Sequence, residues 1–249
     1  MMTVAALDVE AQMRTLTIDI GGTGIKLLPV DARGDKLAER HRELTPKPST
    51  PKTVLSLIED MVSKQEPFDR VSVGFPGVVV RGVVKTAPNL GTKAWKGFDL
   101  RSAIANLAGK PVRVLNDAEL QGYGVIDRKG VELVLTLGTG LGTGLYVNGH
   151  LMPNLELAHH PLRKGKTYEE LISDAELKRV GKKKWLQRVE FMIEVLAAIF
   201  NYDKLYIGGG NAKKLKGPFP DNVQLFDSVE GLAGGVRLWE DDNCRVNDG

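Results

Sequence analysis

The sequence predicts a chain of two similar α/β domains, and three observations carry that expectation. Strand-like segments return across glycine turns twice, over residues 15–30 and 131–148, about half a chain apart. Each strand-rich half is followed by segments with helical periodicity. A composition of 42% hydrophobic and 26% charged residues over 249 positions is that of a globular protein long enough to bury more than one small core.

Taken in order, residues 15–20 (TLTIDI) alternate and are β-branched, break at Gly21-Gly22-Thr23-Gly24 and resume over 25–30, which reads as strand, glycine turn, strand. A proline-rich stretch over 45–51 closes on Thr50-Pro51, an N-cap followed by proline at the first helical position. Val54, Leu57, Ile58 and Met61 then recur at helical spacing. A strand over 70–75 ends at Pro76-Gly77. After it come a polar loop holding Pro88, Asn89 and Trp95, a helix over 99–108 stopped by Gly109, and a strand over 112–115. From 131 the plan repeats: VELVLTL as a strand, Gly138-Thr139-Gly140-Leu141-Gly142 as a turn, and 143–148 as the returning strand. Helices are expected over 168–180 and 184–201, the second with Leu186, Val189, Ile193, Leu196 and Phe200 on one stripe. A strand over 204–207 then runs into Gly208-Gly209-Gly210 ahead of a further helix. The boundary falls near 117, giving domains 1–117 and 118–249.

Several function classes are excluded. The longest apolar runs, such as 195–200, fall far short of the roughly 20 residues a membrane span needs. Residues 1–14 contain Asp8 and Glu10 and do not read as a signal peptide, so a cytoplasmic address is expected. Cys244 is the only cysteine, which rules out an intrachain disulfide and a multi-cysteine zinc site. The net charge of +3, from 34 Lys and Arg against 31 Asp and Glu, is too small to imply nucleic acid, and aromatic residues, at 6%, are not interleaved with the lysines.

The chemistry points to the glycine turns. They expose backbone N–H groups with no side chains in the way, and such concavities bind phosphate oxygens, although a glycine turn by itself can simply be a tight hairpin. Competing motifs fail on spacing: no G-x-G-x-x-G occurs, and Gly165-Lys166-Thr167 lacks the glycine a P-loop requires. Basic clusters at 163–166, 178–184 and 213–216 read either as solvated faces or as a track for a polyanionic phosphate donor.

DIGGTGIK (19–26), GFPGVV (74–79), Pro88-Asn89-Leu90 with Trp95, LND (115–117), LTLGTGLGTGLYVNG (135–149), ELAH (156–159) and IGGGNAKK (207–214) occur in one order. In that order they resemble the ROK family of sugar kinases, and within it the polyphosphate glucokinase branch. The resemblance implies an actin-like, hexokinase-like (ribonuclease H-like) two-domain fold with an interdomain cleft, and transfer of a terminal phosphoryl group from polyphosphate, ATP or both to a hexose, foremost the 6-hydroxyl of glucose. By that resemblance Asp117 is the general base. Its competing reading is a helix N-cap for Ala118 onward. Gly77, Asn89, Asn116, Glu156, His159 and Glu169 would contact the sugar. Gly21, Gly22, Thr23, Gly24, Lys26, Gly138, Thr139, Gly140, Gly208, Gly209, Gly210, Lys213 and Lys214 would contact the donor, and Asp19 would stand near Mg²⁺. Ala158 takes the place of a glycine in the family's E-x-G-H clamp, and a positive φ there would strain it. The segment after the clamp lacks cysteine, so no structural zinc is expected. A homodimer is implied; a nucleic-acid or membrane partner is not. A sugar-sensing repressor would need a helix-turn-helix, for which the 14 residues before Thr15 are too few. A non-catalytic sugar or phosphate sensor stays open.

Overall fold

In the computed structural model, residues 13–152 and 155–241 are described; Cys244 and the acidic residues of the first segment lie outside them. The chain divides into two compact units. Among the described residues, the first comprises 13–124 together with 231–241 and the second 125–230.

The first unit is built on a five-stranded sheet of order β3-β2-β1-β4-β7, with β1 Thr15–Ile20, β2 Ile25–Val30, β3 His41–Glu43, β4 Arg70–Phe75 and β7 Val112–Asn116. Strands β1, β2 and β3 run antiparallel across the glycine turn, while β1–β4 and β4–β7 pair in parallel. Every residue of β1 and β4 is buried, as strands covered on both faces require. Helix α1, Pro51–Ser63, begins as expected at Thr50, whose Oγ1 accepts from Thr53 N, and buries Val54, Ile58 and Met61 in the core with Leu16 and Ile18. The polar loop contains a two-stranded ribbon (β5 Val79–Val80, β6 Val83–Val84) and one short helix, α2 Thr92–Trp95. Trp95 is fully buried against Phe75, ring centres 5.0 Å apart, and donates from Nε1 to Ser49 O. Helix α3, Leu100–Ala108, starts at Asp99 and ends at Gly109 in the left-handed region. Helix α4, Asp117–Tyr123, closes this stretch.

The second unit repeats the plan. Its sheet has the order β10-β9-β8-β13-β14, with β8 Val131–Leu137, β9 Leu141–Val147, β10 His150–Leu151, β13 Lys204–Gly208 and β14 Val223–Leu225. Again three strands are antiparallel and two follow in parallel. A small hairpin, β11 Pro161–Arg163 and β12 Lys166–Thr167, leads into helices α5 Tyr168–Ile172 and α6 Asp174–Val180, and then α7 Lys182–Phe200. The single helix expected over 168–180 is therefore two. Ser173, at ψ 162°, leaves the helical region, and Asp174 N is drawn off to Gly138 O.

Two further expectations change. The division lies after Gly124 instead of 117, because α4 packs on the first sheet. The C-terminal stretch also belongs to the first unit: Ser72 Oγ donates to Gly235 O (2.7 Å), Trp239 Nε1 to Ser72 Oγ (2.9 Å) and Arg113 Nη1 to Leu238 O (2.6 Å). The helix expected after Gly210 is one 3₁₀ turn, Ala212–Lys214, too short to offer a helix N-terminus to an anion.

Candidate active site

In the first unit the parallel strands deliver their C-terminal ends to one place. Asp19 on β1 pairs in register with Gly74 on β4, which pairs with Leu115 on β7. A Cβ at Gly74 would lie 3.2 Å from Asp117 Cα, so glycine there permits the close approach of Asp117. Asp117 is not the N-cap. Asn116 fills that position, its Oδ1 accepting from Ala118 N (2.9 Å), and Asp117 opens the helix as its first residue. Desolvation and then the negative charge of Asp19 push the Asp117 carboxyl up to about 7, against the lowering effects of the Ala118 N–H and Lys26. Lys26 Nζ holds Asp19 Oδ2 at 2.6 Å.

The first glycine turn is closed by Gly21 N donating to Gly24 O (3.0 Å) and braced by Thr45 Oγ1, which donates to Gly21 O. Thr23 is exposed at its tip. Asn89 packs so closely on Gly22 that a Cβ there would sit 3.0 Å from Asn89 Cβ. Asn116 Nδ2 donates to Gly77 O (3.3 Å), which joins two of the residues expected to contact the sugar, while Asn89 lies against the turn through Gly22. Sequence reasoning missed Arg42. Its guanidinium lies against Gly24, where a Cβ would be 3.0 Å from Nε, and in the β2–β3 register it stands directly opposite Lys26. Like charges placed opposite one another weaken a sheet unless an anion is shared between them. No motif covers this three-residue edge strand.

In the second unit Gly138 N donates to Gly140 O (3.0 Å), and Gly138 O accepts from Asp174 N (3.0 Å) and Asn211 Nδ2 (3.3 Å). Gly209, at φ +86°, lies so close to Leu137 that a Cβ would meet its backbone. The three glycine-bearing segments expected to meet the donor here thus include two, around 138–140 and 208–210, joined through Asn211. Thr139 is exposed. Lys214 is already engaged, with Nζ on Asn211 Oδ1 (2.6 Å) and 3.7 Å from Asp174 Oδ1, so it steadies the turn, whereas Lys213 is exposed.

The clamp residues Glu156 and His159 precede and end a 3₁₀ turn, Leu157–His159, with Oε2 and Nε2 3.7 Å apart. Burial raises the Glu156 pKa, His159 lowers it and Glu169 raises it, which places all three together. Glu169 Oε2 also accepts from Leu141 N (3.4 Å), linking the clamp to the glycine turn through α5. Ala158 is not strained: it lies in the 3₁₀ turn, is absent from the positive-φ residues, and buries its methyl group in the second core.

The model of the ROK family matches residues 15–156. A polyphosphate glucokinase of Mycobacterium tuberculosis is 37% identical over 208 residues, covering 79% of this chain and 77% of its own. The crystal structure of an inorganic polyphosphate/ATP-glucomannokinase from Arthrobacter sp. strain KM superposes with a TM-score of 0.82 at 30% identity, over 91% of this chain and 98% of that one. A ROK family glucokinase from Streptomyces griseus shares the fold, with a TM-score of 0.74 at 21% identity over 90% and 98% of the two chains.

Proposed function

The chain belongs to the ROK family, and from that premise we propose that it is a hexose kinase, transferring the terminal phosphoryl group of inorganic polyphosphate or ATP to the 6-hydroxyl of glucose. Its fold is the actin-like, hexokinase-like α/β fold. The observation that carries the reading is Asp117, a carboxylate set at a strand end beside Asp19 and tuned to about 7, where a general base at neutral pH is most effective. In the reaction Asp117 accepts the hydroxyl proton, the oxygen attacks the terminal phosphorus, and the bond from phosphorus to the bridging oxygen breaks with its electrons leaving on the donor. In the first unit Asn116 and Gly77 adjoin one another next to Asp117 as sugar contacts, and in the second Glu156, His159 and Glu169 form a set of groups able to take sugar hydroxyls. Each unit offers the donor's oxygens its own glycine turn, 21–24 beside Lys26 and Arg42 in the first and 138–140 in the second.

Mg²⁺ fits the donor set. Asp19 commits only Oδ2 to Lys26 and leaves Oδ1 for a cation, the sparse carboxylate ligation Mg²⁺ accepts when phosphates and water supply the rest. Bound there, it would neutralise charge on the phosphates. Among the described residues no cluster of three or more His, Cys, Asp or Glu could hold a metal. No described helix is long and apolar enough to cross a membrane. A cytoplasmic homodimer completes the proposal, and sedimentation would test its second half.

The deciding experiment is turnover of a sugar panel with polyphosphate and ATP in parallel, with and without Mg²⁺. Glucose 6-phosphate from either donor, dependent on Mg²⁺, is expected. Sugar binding without turnover of either donor would overturn the kinase in favour of a sensor.

A further inference from the structure

The basic clusters do not form one continuous track. Lys178 is paired with Asp174 at 2.6 Å and Lys214 with Asn211, but Arg163, Lys164, Lys166 and Lys184 are brought by the β11–β12 hairpin and the first turn of α7 around a single cavity of about 410 Å³. Arg188 and Phe191 complete its wall, and no carboxylate lines it. Such a volume lies within the range of ligand pockets. Among the described residues, Arg188 is the one of the five cations with an acidic partner, Glu176. That carboxylate accepts from both Arg179 and Arg188, so it is shared between two guanidinium groups and reaches none of the other four cations. Arg163 lies over the Phe191 ring at 5.0 Å.

Two local features run against stability. Lys164 occupies the hairpin tip at φ +53°, followed by Gly165 at φ +72°, a turn in which asparagine or glycine is the unstrained choice. Helix α7 opens with Lys182, Lys183 and Lys184, with no acidic residue in its first turn and no side-chain cap, so lysines stand at the positive end of the helix dipole. An anion in the cavity would give Lys164 the charged partner that an unstrained asparagine could not use, and would offset the repulsion between Lys184 and the helix dipole. One helix connects the cavity with the donor turn: Leu171 of α5 lines the cavity, while Glu169 of the same helix accepts from Leu141 N beyond Gly140.

We propose that the cavity between the β11–β12 hairpin and α7 is a second phosphate-binding site, which holds a segment of a linear polyphosphate chain remote from the phosphoryl group being transferred. This rests on the polyphosphate half of the function proposed above. A free phosphate compound would offer the same chemistry, and chain length separates the two sources. A remote segment is available only to a long chain.

The test combines Lys164→Asn, Lys166→Gln and Lys184→Gln, singly and together, in the full-length protein. Binding of long-chain polyphosphate, tripolyphosphate and ATP is measured by calorimetry without sugar, and turnover is measured with each donor. The triple variant should bind long chains at least ten-fold more weakly, with a logarithmic salt dependence shallower by roughly two to three, and with unchanged constants for tripolyphosphate, ATP and glucose. Lys164→Asn should raise the melting temperature while weakening long-chain binding, an outcome unfolding cannot produce. Equal affinity of wild type and triple variant for long chains would overturn the proposal, as would a parallel loss for ATP or tripolyphosphate. If the wild type binds long chains through these lysines yet never turns them over, the site stands and the donor reading falls.

Discussion

Asp117 serves one purpose at the expense of another. Its native pKa of about 7 lies above the ordinary carboxylate value, so its contribution to stability is fully present below about pH 4 and is lost as pH rises through 7. Catalysis needs the opposite state, the free carboxylate. The expected result is a kcat/KM that climbs with pH through an inflection near 7. Asp117→Asn should remove that inflection and cut kcat by about 10² to 10⁴ with sugar affinity nearly unchanged; a variant keeping most of its turnover would displace Asp117 from this role. Arg42 makes a second prediction at this scale. Arg42→Ala should raise the donor KM about ten-fold, a change of roughly 1.4 kcal/mol, while leaving sugar affinity intact, and Arg42→Lys should recover part of the loss. Steady-state kinetics in both substrates decides it. Asp117 was singled out through Leu115-Asn116-Asp117 and the family resemblance, while the groups that set its pKa, Asp19 and Lys26, lie far from it in the chain. Arg42 was not, since what brings it to Gly24 is the pairing of β2 with β3.

At the scale of elements, α5 is the joint of the second unit. Thr167 caps it by accepting from Glu170 N, Glu169 reaches the glycine turn, and Tyr168 N is bound to His160 O beside the clamp. Glu169→Ala should therefore raise the KM for sugar and donor together, by several-fold each, whereas a residue serving one ligand would move one constant. The same short helix shows why element breaks were harder to read than element types. Residues 168–180 carry a helical pattern throughout, and the break at Ser173 comes from Asp174 N bonding to Gly138 O, 36 positions earlier in the chain.

For the whole molecule, the return of the C-terminal segment to the first sheet has a measurable consequence. Leu238 is fully buried there, and Leu238→Ala should cost about 2–5 kcal/mol of stability, read as a lower denaturation midpoint, although the residue touches no proposed ligand. By itself the sequence determined the two glycine-turn halves, the central strands, the capped helices and the family, because these rest on periodicity, cap chemistry and motifs that act within a few residues of one another. Only the tertiary structure decided where the chain divides, that residues 231–241 belong with the first unit, that Ala158 is relaxed, and that five lysines and arginines share one cavity. The division, the return of 231–241 and the cavity depend on residues from separate elements meeting through sheet register and packing, and no local pattern records such a meeting.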